Sequence, residues 1–227
     1  MATTWQRCLA EAIGTFSLIF IGAGAIIVNA LPEVEVGLVG IALAHGLVLA
    51  VIVTATMNIS GGHINPAVTI GLWSVRKIGG SLALLYIASQ LAGAVIAAFA
   101  LRELFPGAAV GAAGLGTPVP MPGLSFGAAV GIETVLTFFL VFAVFGTAVD
   151  HRAPKVGGFG IGLVLVFDIL AGGPLTGASM NPARTFGPAL VSGIWTEHLV
   201  YWIGPILGGL VAAIVYGRLL AVPESGE

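Results

Sequence analysis

The chain has 227 residues, of which 58% are hydrophobic and 8% charged, and its mean hydropathy is +1.08. A soluble domain is about one quarter charged, so this composition excludes a soluble globular protein and indicates one that lies in a lipid bilayer. The formal charge is −2 and there is no basic run, which argues against a nucleic-acid partner. A single cysteine, Cys8, excludes an internal disulfide, and no Cys/His cluster has metal-ligand spacing. We therefore expect neither a metal nor a cofactor.

Apolar stretches long enough to cross a bilayer, whose core takes about 20 residues of helix, recur along the chain. They lie at 9–31, 37–58, 80–102, 125–149, 156–174 and 198–220. The segment from Leu104 to Gly127 is rich in proline and glycine and predicts one long loop. The sequence thus predicts an all-α membrane protein with six transmembrane helices. Small residues at the spacings Gly14, Gly22 and Gly93, Ala97 predict helices in close contact.

Lysine and arginine are distributed unevenly between the two ends of these spans. One side collects Arg7, Arg76, Lys77, Arg152, Lys155 and Arg218. By the positive-inside rule, both termini are cytoplasmic, and we expect the cell membrane as the location. Arg102 and Arg184 fall on the opposite side, and Arg184 needs a separate explanation.

The two halves of the chain resemble each other. The ten residues from Glu11 match the ten from Glu133 at five positions, and the tripeptide Asn-Pro-Ala occurs at a similar place in each half. These matches predict an internal duplication, with a first repeat at about 1–104, a linker loop at about 105–123 and a second repeat at about 124–227. Because each repeat has three spans, the second must be inverted relative to the first.

The two tripeptides are Asn65-Pro66-Ala67 and Asn181-Pro182-Ala183, called below the first and second NPA motifs. Asparagine is a preferred N-cap and proline a preferred first helical residue, so each motif predicts a helix start. Each apolar run that follows has about ten residues, or about 15 Å of helix, which is half a bilayer core. In an inverted repeat, these half-helices enter from opposite faces and meet at their N-termini. Non-helical backbone at that depth implies a water-filled path beside it.

Two helix N-termini at one point repel cations, and the asparagine amides can donate hydrogen bonds to a solute oxygen. The expected cargo is therefore small and uncharged, and a file of water molecules oriented there would not conduct protons. A single Asn-Pro-Ala is more often a simple turn, but two copies in register with a duplication argue against that interpretation.

These features resemble the aquaporin, or major intrinsic protein, family. The resemblance rests on residues 60–69, residues 181–184 and the paired Glu11 and Glu133, and covers nearly the whole chain. It implies six tilted helices plus two re-entrant half-helices, a water pore in each subunit, and a homotetramer.

The resemblance also implies a constriction on the extracellular side, formed by His45, Ile169, Ala178 and Arg184. This assignment explains the position of Arg184, whose guanidinium can donate to a solute and repel cations. His45 could alternatively do no more than bond a backbone carbonyl. Strictly water-selective members tend to have histidine on the fifth helix and an aromatic on the second. The different pattern here is similar to the tonoplast-type subgroup, whose pores also pass ammonia and other small solutes. Glycerol facilitators have Asp where this chain has Thr185.

Four further polar groups are expected inside the membrane. Glu11 and Glu133 occupy equivalent positions, which favours support of the re-entrant loops over a proton relay. His63 is expected to hold the first loop, with gating as the alternative. The role of Asp168 stays open.

Two other classes of function compete with a channel. Inverted repeats and broken helices also build secondary transporters, but a cation-coupled carrier needs anionic or carbonyl-rich ion sites where this chain places helix N-termini. An intramembrane enzyme is disfavoured because no nucleophile–base pair occurs at helical spacing.

Overall fold

The protein is described by a computed structural model that covers residues 2–154 and 156–221, so Lys155 lies outside the described residues. Six helices are long and apolar enough to cross a membrane. They are α1 (Thr4–Asn29), α2 (Gly37–Thr56), α4 (Gly80–Leu104), α6 (Phe126–Val144), α7 (Phe159–Thr176) and α9 (Val200–Ile214). Helices α6 and α9 each continue into a terminal π-helical turn, Phe145–Val149 and Val215–Leu220 respectively. The predicted spans are confirmed, with ends shifted by a few residues.

Two short helices complete the membrane domain. Helix α3 runs over Pro66–Ser74 and α8 over Pro182–Ser192, and both begin at the proline of an NPA motif. With nine and eleven residues, neither can cross a bilayer core alone at 1.5 Å per residue. The predicted pair of half-helices is therefore present.

The predicted long loop between α4 and α6 contains regular structure. A short helix, α5 (Gly107–Ala112), and a 3-10 turn, Gly114–Gly116, lie within it. Ala109 and Leu115 are buried against the core. The segment predicted as one long loop therefore includes short helical elements, because its apolar side chains pack onto the bundle.

Helix packing follows the same pattern in both halves. Helix α1 packs on α4 and α6 packs on α9, while α8 lies against α4 and α3 against α9. A Cβ at Gly93 would lie 2.9 Å from the carbonyl carbon of Ala12, and one at Gly208 would lie 2.9 Å from the backbone nitrogen of Phe138. Helix backbones therefore approach closely at these glycines, as small-residue packing requires.

The spacing of Gly14 and Gly22 predicts a contact with a neighbouring helix, but in the structure both glycines face side chains. A Cβ at Gly14 would meet the side chain of Ile64, and one at Gly22 would meet the imidazole of His45. These two glycines make room for side chains of the channel region rather than for a neighbouring helix backbone.

Candidate functional site

The site is built on the N-termini of α3 and α8. The Asn65 side chain accepts a hydrogen bond from the Ala67 backbone N–H at 2.8 Å. The Asn181 side chain accepts from the backbone N–H groups of Ala183 at 3.0 Å and Arg184 at 3.2 Å. Both asparagines are N-caps followed by proline at the first helical position, as their sequence context predicts.

Each asparagine also bonds the opposite loop. Asn65 Nδ2 donates to the Met180 carbonyl at 2.8 Å, and Asn181 Nδ2 donates to the Ile64 carbonyl at 3.0 Å. A side-chain amide nitrogen has two donors, so each asparagine keeps one for a solute. The two half-helices therefore meet at their starts and hold each other there.

The two accepting residues adopt left-handed backbone conformations. Ile64 has φ 57° and Met180 has φ 52°. A β-branched residue such as isoleucine rarely adopts this region, and the strain costs about 1–3 kcal/mol. The conformation lets each carbonyl accept from the opposite asparagine. No feature of the sequence marks either residue for this role.

Glu11 accepts hydrogen bonds from the first re-entrant loop and from α4. Its Oε1 accepts from the Ser60 hydroxyl at 2.7 Å and the His63 backbone N–H at 2.9 Å. Its Oε2 accepts from the Ile64 backbone N–H at 2.6 Å and from Gln90 Nε2 at 2.8 Å. The carboxylate is fully buried and binds four donors.

Glu133 makes the corresponding bonds to the second loop. Its Oε1 accepts from the Thr176 hydroxyl at 2.7 Å and the Ser179 backbone N–H at 3.0 Å. Its Oε2 accepts from the Met180 backbone N–H at 2.7 Å. Pro205, which the repeat aligns with Gln90, supplies no donor. Glu133 therefore binds three donors where Glu11 binds four.

Two tyrosines hold the starts of the re-entrant loops, and we did not predict them. The Tyr86 hydroxyl donates to the Ser60 carbonyl at 2.7 Å, and the Tyr201 hydroxyl donates to the Thr176 carbonyl at 2.6 Å. The two tyrosines are equivalent under the same alignment that pairs the halves. Comparing the repeats position by position would therefore have found them.

His63 lies in the first loop and contacts both the loop and the cavity. Its Nδ1 is 3.1 Å from the Thr69 hydroxyl, which itself donates to the Asn65 carbonyl at 3.0 Å. Because that hydroxyl proton is already used, His63 Nδ1 carries the proton and Nε2 is an acceptor. The ring packs edge-on against Tyr86, with centroids 5.1 Å apart.

A narrow cavity runs past both NPA motifs. Its volume accessible to the centre of a water molecule is about 30 Å³, and each water needs about 10–15 Å³ by that measure. The cavity therefore has room for about two or three water molecules. Its polar lining comes from His45, His63, Asn65, Ser179, Asn181 and Arg184, and its apolar lining includes Leu18, Leu49, Val53, Val68, Leu140, Val144, Ile161 and Leu165.

His45 and Arg184 both line this cavity and are in direct contact with each other. Arg184 Nη2 lies 3.4 Å from His45 Nε2, and Arg184 Nη1 donates to the Gly116 carbonyl at 2.7 Å. His45 Nδ1 lies 2.9 Å from the Ile41 carbonyl, which can only accept. His45 therefore carries its proton on Nδ1 and presents Nε2 as an acceptor beside the guanidinium. The structure thus adds Gly116 to the residues that position the predicted constriction.

The model of the family described as "Major intrinsic protein" matches residues 1–216. The chain belongs to this family. A maize protein named "Aquaporin TIP4-4" is 48% identical, with 98% of this chain and 89% of the relative covered. "Aquaporin AqpM" of Methanothermobacter thermautotrophicus is 42% identical, with 96% and 99% covered. The X-ray structure of the aquaglyceroporin from Plasmodium falciparum shares the fold with a TM-score of 0.87, covering 96% of this chain and 97% of that one at 23% identity.

Family membership decides the broad class of function. A major intrinsic protein with aquaporin relatives is a passive membrane channel for water and small neutral solutes, and it is not an enzyme. The TIP-type relatives agree with the subgroup that the sequence resembles. Within residues 2–154 and 156–221, no three His, Cys, Asp or Glu side chains come together as a metal site requires.

Ile169 and Asp168 do not line the cavity. Ile169 is buried on α7 but is not among the residues that line it, whereas Ala178 does line it. Asp168 is buried, and neither carboxylate oxygen has a hydrogen-bond partner among the described residues. The structure brings together three of the four predicted constriction residues around the cavity.

Proposed function

We propose that this member of the family conducts water and ammonia in single file and excludes protons and cations. The observation that carries the proposal is the meeting of two asparagine-capped helix N-termini beside a cavity of about 30 Å³. Two positive dipole ends at one point raise the energy of any cation there. The small volume of the cavity favours small solutes.

Proton exclusion follows from the remaining donors of the two asparagines. Each uses one amide hydrogen on the opposite loop and keeps the other for the cavity that it lines. A water molecule that accepts from both asparagines has its own hydrogens directed away from the motifs. The hydrogen-bonded file is then interrupted at this point, and a proton cannot hop through it.

Selectivity is assigned to His45, Ile169, Ala178 and Arg184. Support comes from the contact between His45 and Arg184 in the wall of the cavity and from Ala178 in the same wall. Ile169 is retained on the family resemblance alone. An aliphatic residue at this position and the guanidinium N–H groups that remain beside His45 suit a small neutral solute with a lone pair, such as ammonia.

Glu11, Glu133 and His63 are assigned as supports of the re-entrant loops. Both carboxylates receive backbone N–H groups that would otherwise be buried without partners. The proton on His63 Nδ1 is directed at Thr69, so the ring braces the loop against the start of α3. A relay role would require a chain of exchangeable protons, and these carboxylates are occupied as acceptors.

The larger organisation is proposed on the same grounds. The corresponding contacts of Glu11 and Glu133 support an inverted duplication with repeats at about 1–104 and 124–227 and a linker loop at about 105–123. Assembly as a homotetramer rests on the family. The cytoplasmic placement of both termini rests on the distribution of lysine and arginine, and the cell membrane is the proposed location.

The test is an osmotic shrinkage measurement on proteoliposomes, paired with ammonia uptake on the same vesicles. We expect fast water flux that does not depend on an ion gradient, together with ammonia flux above that of empty liposomes. Water flux that required a sodium or proton gradient would support a secondary transporter and contradict the proposal.

The assignment of His45 to the constriction is tested by a substitution. His45→Phe replaces a polar acceptor with a larger apolar ring and should lower ammonia permeability more than water permeability. The control is His151→Phe, since the His151 side chain is 41% exposed outside the membrane spans. Unchanged permeability to both solutes in His45→Phe would remove His45 from the constriction.

A further inference from the structure

Gly22 lies on α1 directly behind the imidazole of His45. A Cβ at Gly22 would lie 2.9 Å from His45 Cε1 and closer still to Cδ2 and Nε2. Real Cβ atoms essentially never approach other heavy atoms within 3.0 Å. The His45 ring therefore occupies the space that any side chain at position 22 would need.

The position of the ring is fixed on its other sides. His45 Nδ1 lies 2.9 Å from the Ile41 carbonyl one helical turn earlier, which sets the ring orientation. Nε2 lies 3.4 Å from Arg184 Nη2, which also lines the cavity. The ring can sit back from the cavity only because Gly22 has no side chain.

We propose that Gly22 is a specificity-determining residue, which holds the constriction open by letting the His45 imidazole rest against α1. The inference deepens the proposed function, since it assumes that His45 borders the solute path. It adds a residue that does not itself line the cavity and that acts through His45 as a positioning residue.

The next residue of α1 supports the opposite side of the same constriction. A Cβ at Gly116 would lie 2.8 Å from the Ala23 Cβ, so the 3-10 turn packs tightly on α1 at that point. The Gly116 carbonyl accepts from Arg184 Nη1 at 2.7 Å. Gly22 and Ala23 thus set the positions of both polar groups at the constriction, His45 directly and Arg184 through Gly116.

Replacement of Gly22 by alanine should push the imidazole away from α1 and into the cavity that it lines, which narrows the path. Solutes larger than water should be affected most, because the loss of width matters more to them. Gly24→Ala is a matched control on the same helix. A Cβ there would lie 3.4 Å from Leu101 Cδ2, which is ordinary contact.

The experiment compares wild type, Gly22→Ala, Gly24→Ala, His45→Ala and the Gly22→Ala/His45→Ala double variant in proteoliposomes. Water and methylamine permeability are measured per folded protein, quantified by gel filtration and circular dichroism. Gly22→Ala should lose methylamine permeability roughly five-fold or more, as expected for a clash in a packed wall, and lose less of its water permeability. Gly24→Ala should match wild type.

The double variant separates a selectivity role from a general packing defect. With the imidazole removed, Gly22→Ala has nothing to displace, so the double variant should behave like His45→Ala. If Gly22→Ala fails to fold, the double variant should recover folding and flux. Equal permeability of Gly22→Ala and wild type, or an equal effect of Gly22→Ala with and without His45, would overturn the inference. Absence of water flux in wild type would instead contradict the proposed function.

Discussion

Asn181 donates a hydrogen bond from its side-chain amide to the backbone carbonyl of Ile64 at 3.0 Å, across 117 residues of sequence. Asn65 makes the reciprocal bond to Met180. The two re-entrant loops therefore fix each other at the point where the half-helices begin. Replacing either asparagine by a residue without an amide removes one of the donors to a buried carbonyl of the opposite loop.

The first prediction concerns this bond. Asn181→Asp keeps the N-cap acceptor but puts an oxygen opposite the Ile64 carbonyl, which removes the donor and adds a repulsion. We expect the free energy of unfolding to fall by about 1–3 kcal/mol, as for a buried group left unsatisfied. Thermal unfolding in detergent measures it. The control is Asn58→Asp, at an exposed position. If Asn181→Asp were as stable as that control, the cross-loop bond would contribute nothing.

The second prediction compares the two buried glutamates. Each carboxylate oxygen of Glu11 accepts two hydrogen bonds. In Glu11→Gln the amide nitrogen replaces one of these oxygens, so two hydrogen bonds are lost in either orientation of the amide. Oε2 of Glu133 accepts only from Met180, so Glu133→Gln can orient its nitrogen there and lose one. With each charged bond worth about 1.5–3 kcal/mol, Glu11→Gln should be the less stable variant.

Chemical denaturation in detergent compares the two glutamate variants with Glu197→Gln at an exposed site as the reference. Equal losses for Glu11→Gln and Glu133→Gln would show that Gln90 adds nothing to the first loop.

The third prediction concerns Asp168. A buried carboxylate without partners is unfavourable if charged, and Asn has the same shape without the charge. We expect Asp168→Asn to be at least as stable as wild type in thermal unfolding. Asp150→Asn should instead destabilise, because Arg152 bonds the Asp150 carboxylate and holds its pKa well below the usual range. A marked loss of stability in Asp168→Asn would indicate that a bound group pairs with it.

The fourth prediction concerns helix contact. Gly93→Ala places a methyl group against the Ala12 carbonyl, where only backbone is available to move. Overpacking of this kind costs about 1–3 kcal/mol. Gly131→Ala on α6 has open space and should be neutral. The measurement is the thermal unfolding midpoint of each variant in detergent. If Gly93→Ala were as stable as wild type, the close contact between α1 and α4 would be contradicted.

The fifth prediction concerns pH. His198 lies outside the spans, packs on Trp195 with ring centroids 4.7 Å apart, and accepts from Trp202 Nε1 at 3.1 Å. Burial lowers its pKa below 6.5, so the folded state binds the proton less well than the unfolded state. This contribution to stability is present above about pH 6.5 and is lost as the pH falls. The midpoint temperature of thermal unfolding should fall more between pH 7.5 and pH 5 in wild type than in His198→Gln.

Much of the fold followed from local patterns. Hydropathy located the spans, and the asparagine and proline of each NPA motif located the half-helices, because capping depends on adjacent residues. The structure of the segment from Leu104 to Gly127 was harder to predict from local patterns. Its short helix depends on burial of Ala109 and Leu115 against helices far away in sequence.

The internal repeat pairs more residues of the site than we predicted from it. It paired Glu11 with Glu133, and the same alignment pairs Tyr86 with Tyr201, whose hydroxyls hold the loops. It could not predict that Gln90 would distinguish the two glutamates. That difference arises where the halves are unlike, so it required the hydrogen bonds themselves.

The sequence by itself determined the spans, the paired half-helices and the family, since these depend on composition and on short motifs. Only the tertiary structure decided that Ile64 and Met180 adopt left-handed conformations, that Arg184 rests on Gly116, and that Gly22 makes room for His45. These relationships join residues far apart in the chain. They are set by how closely the helices pack, and no local pattern encodes that distance.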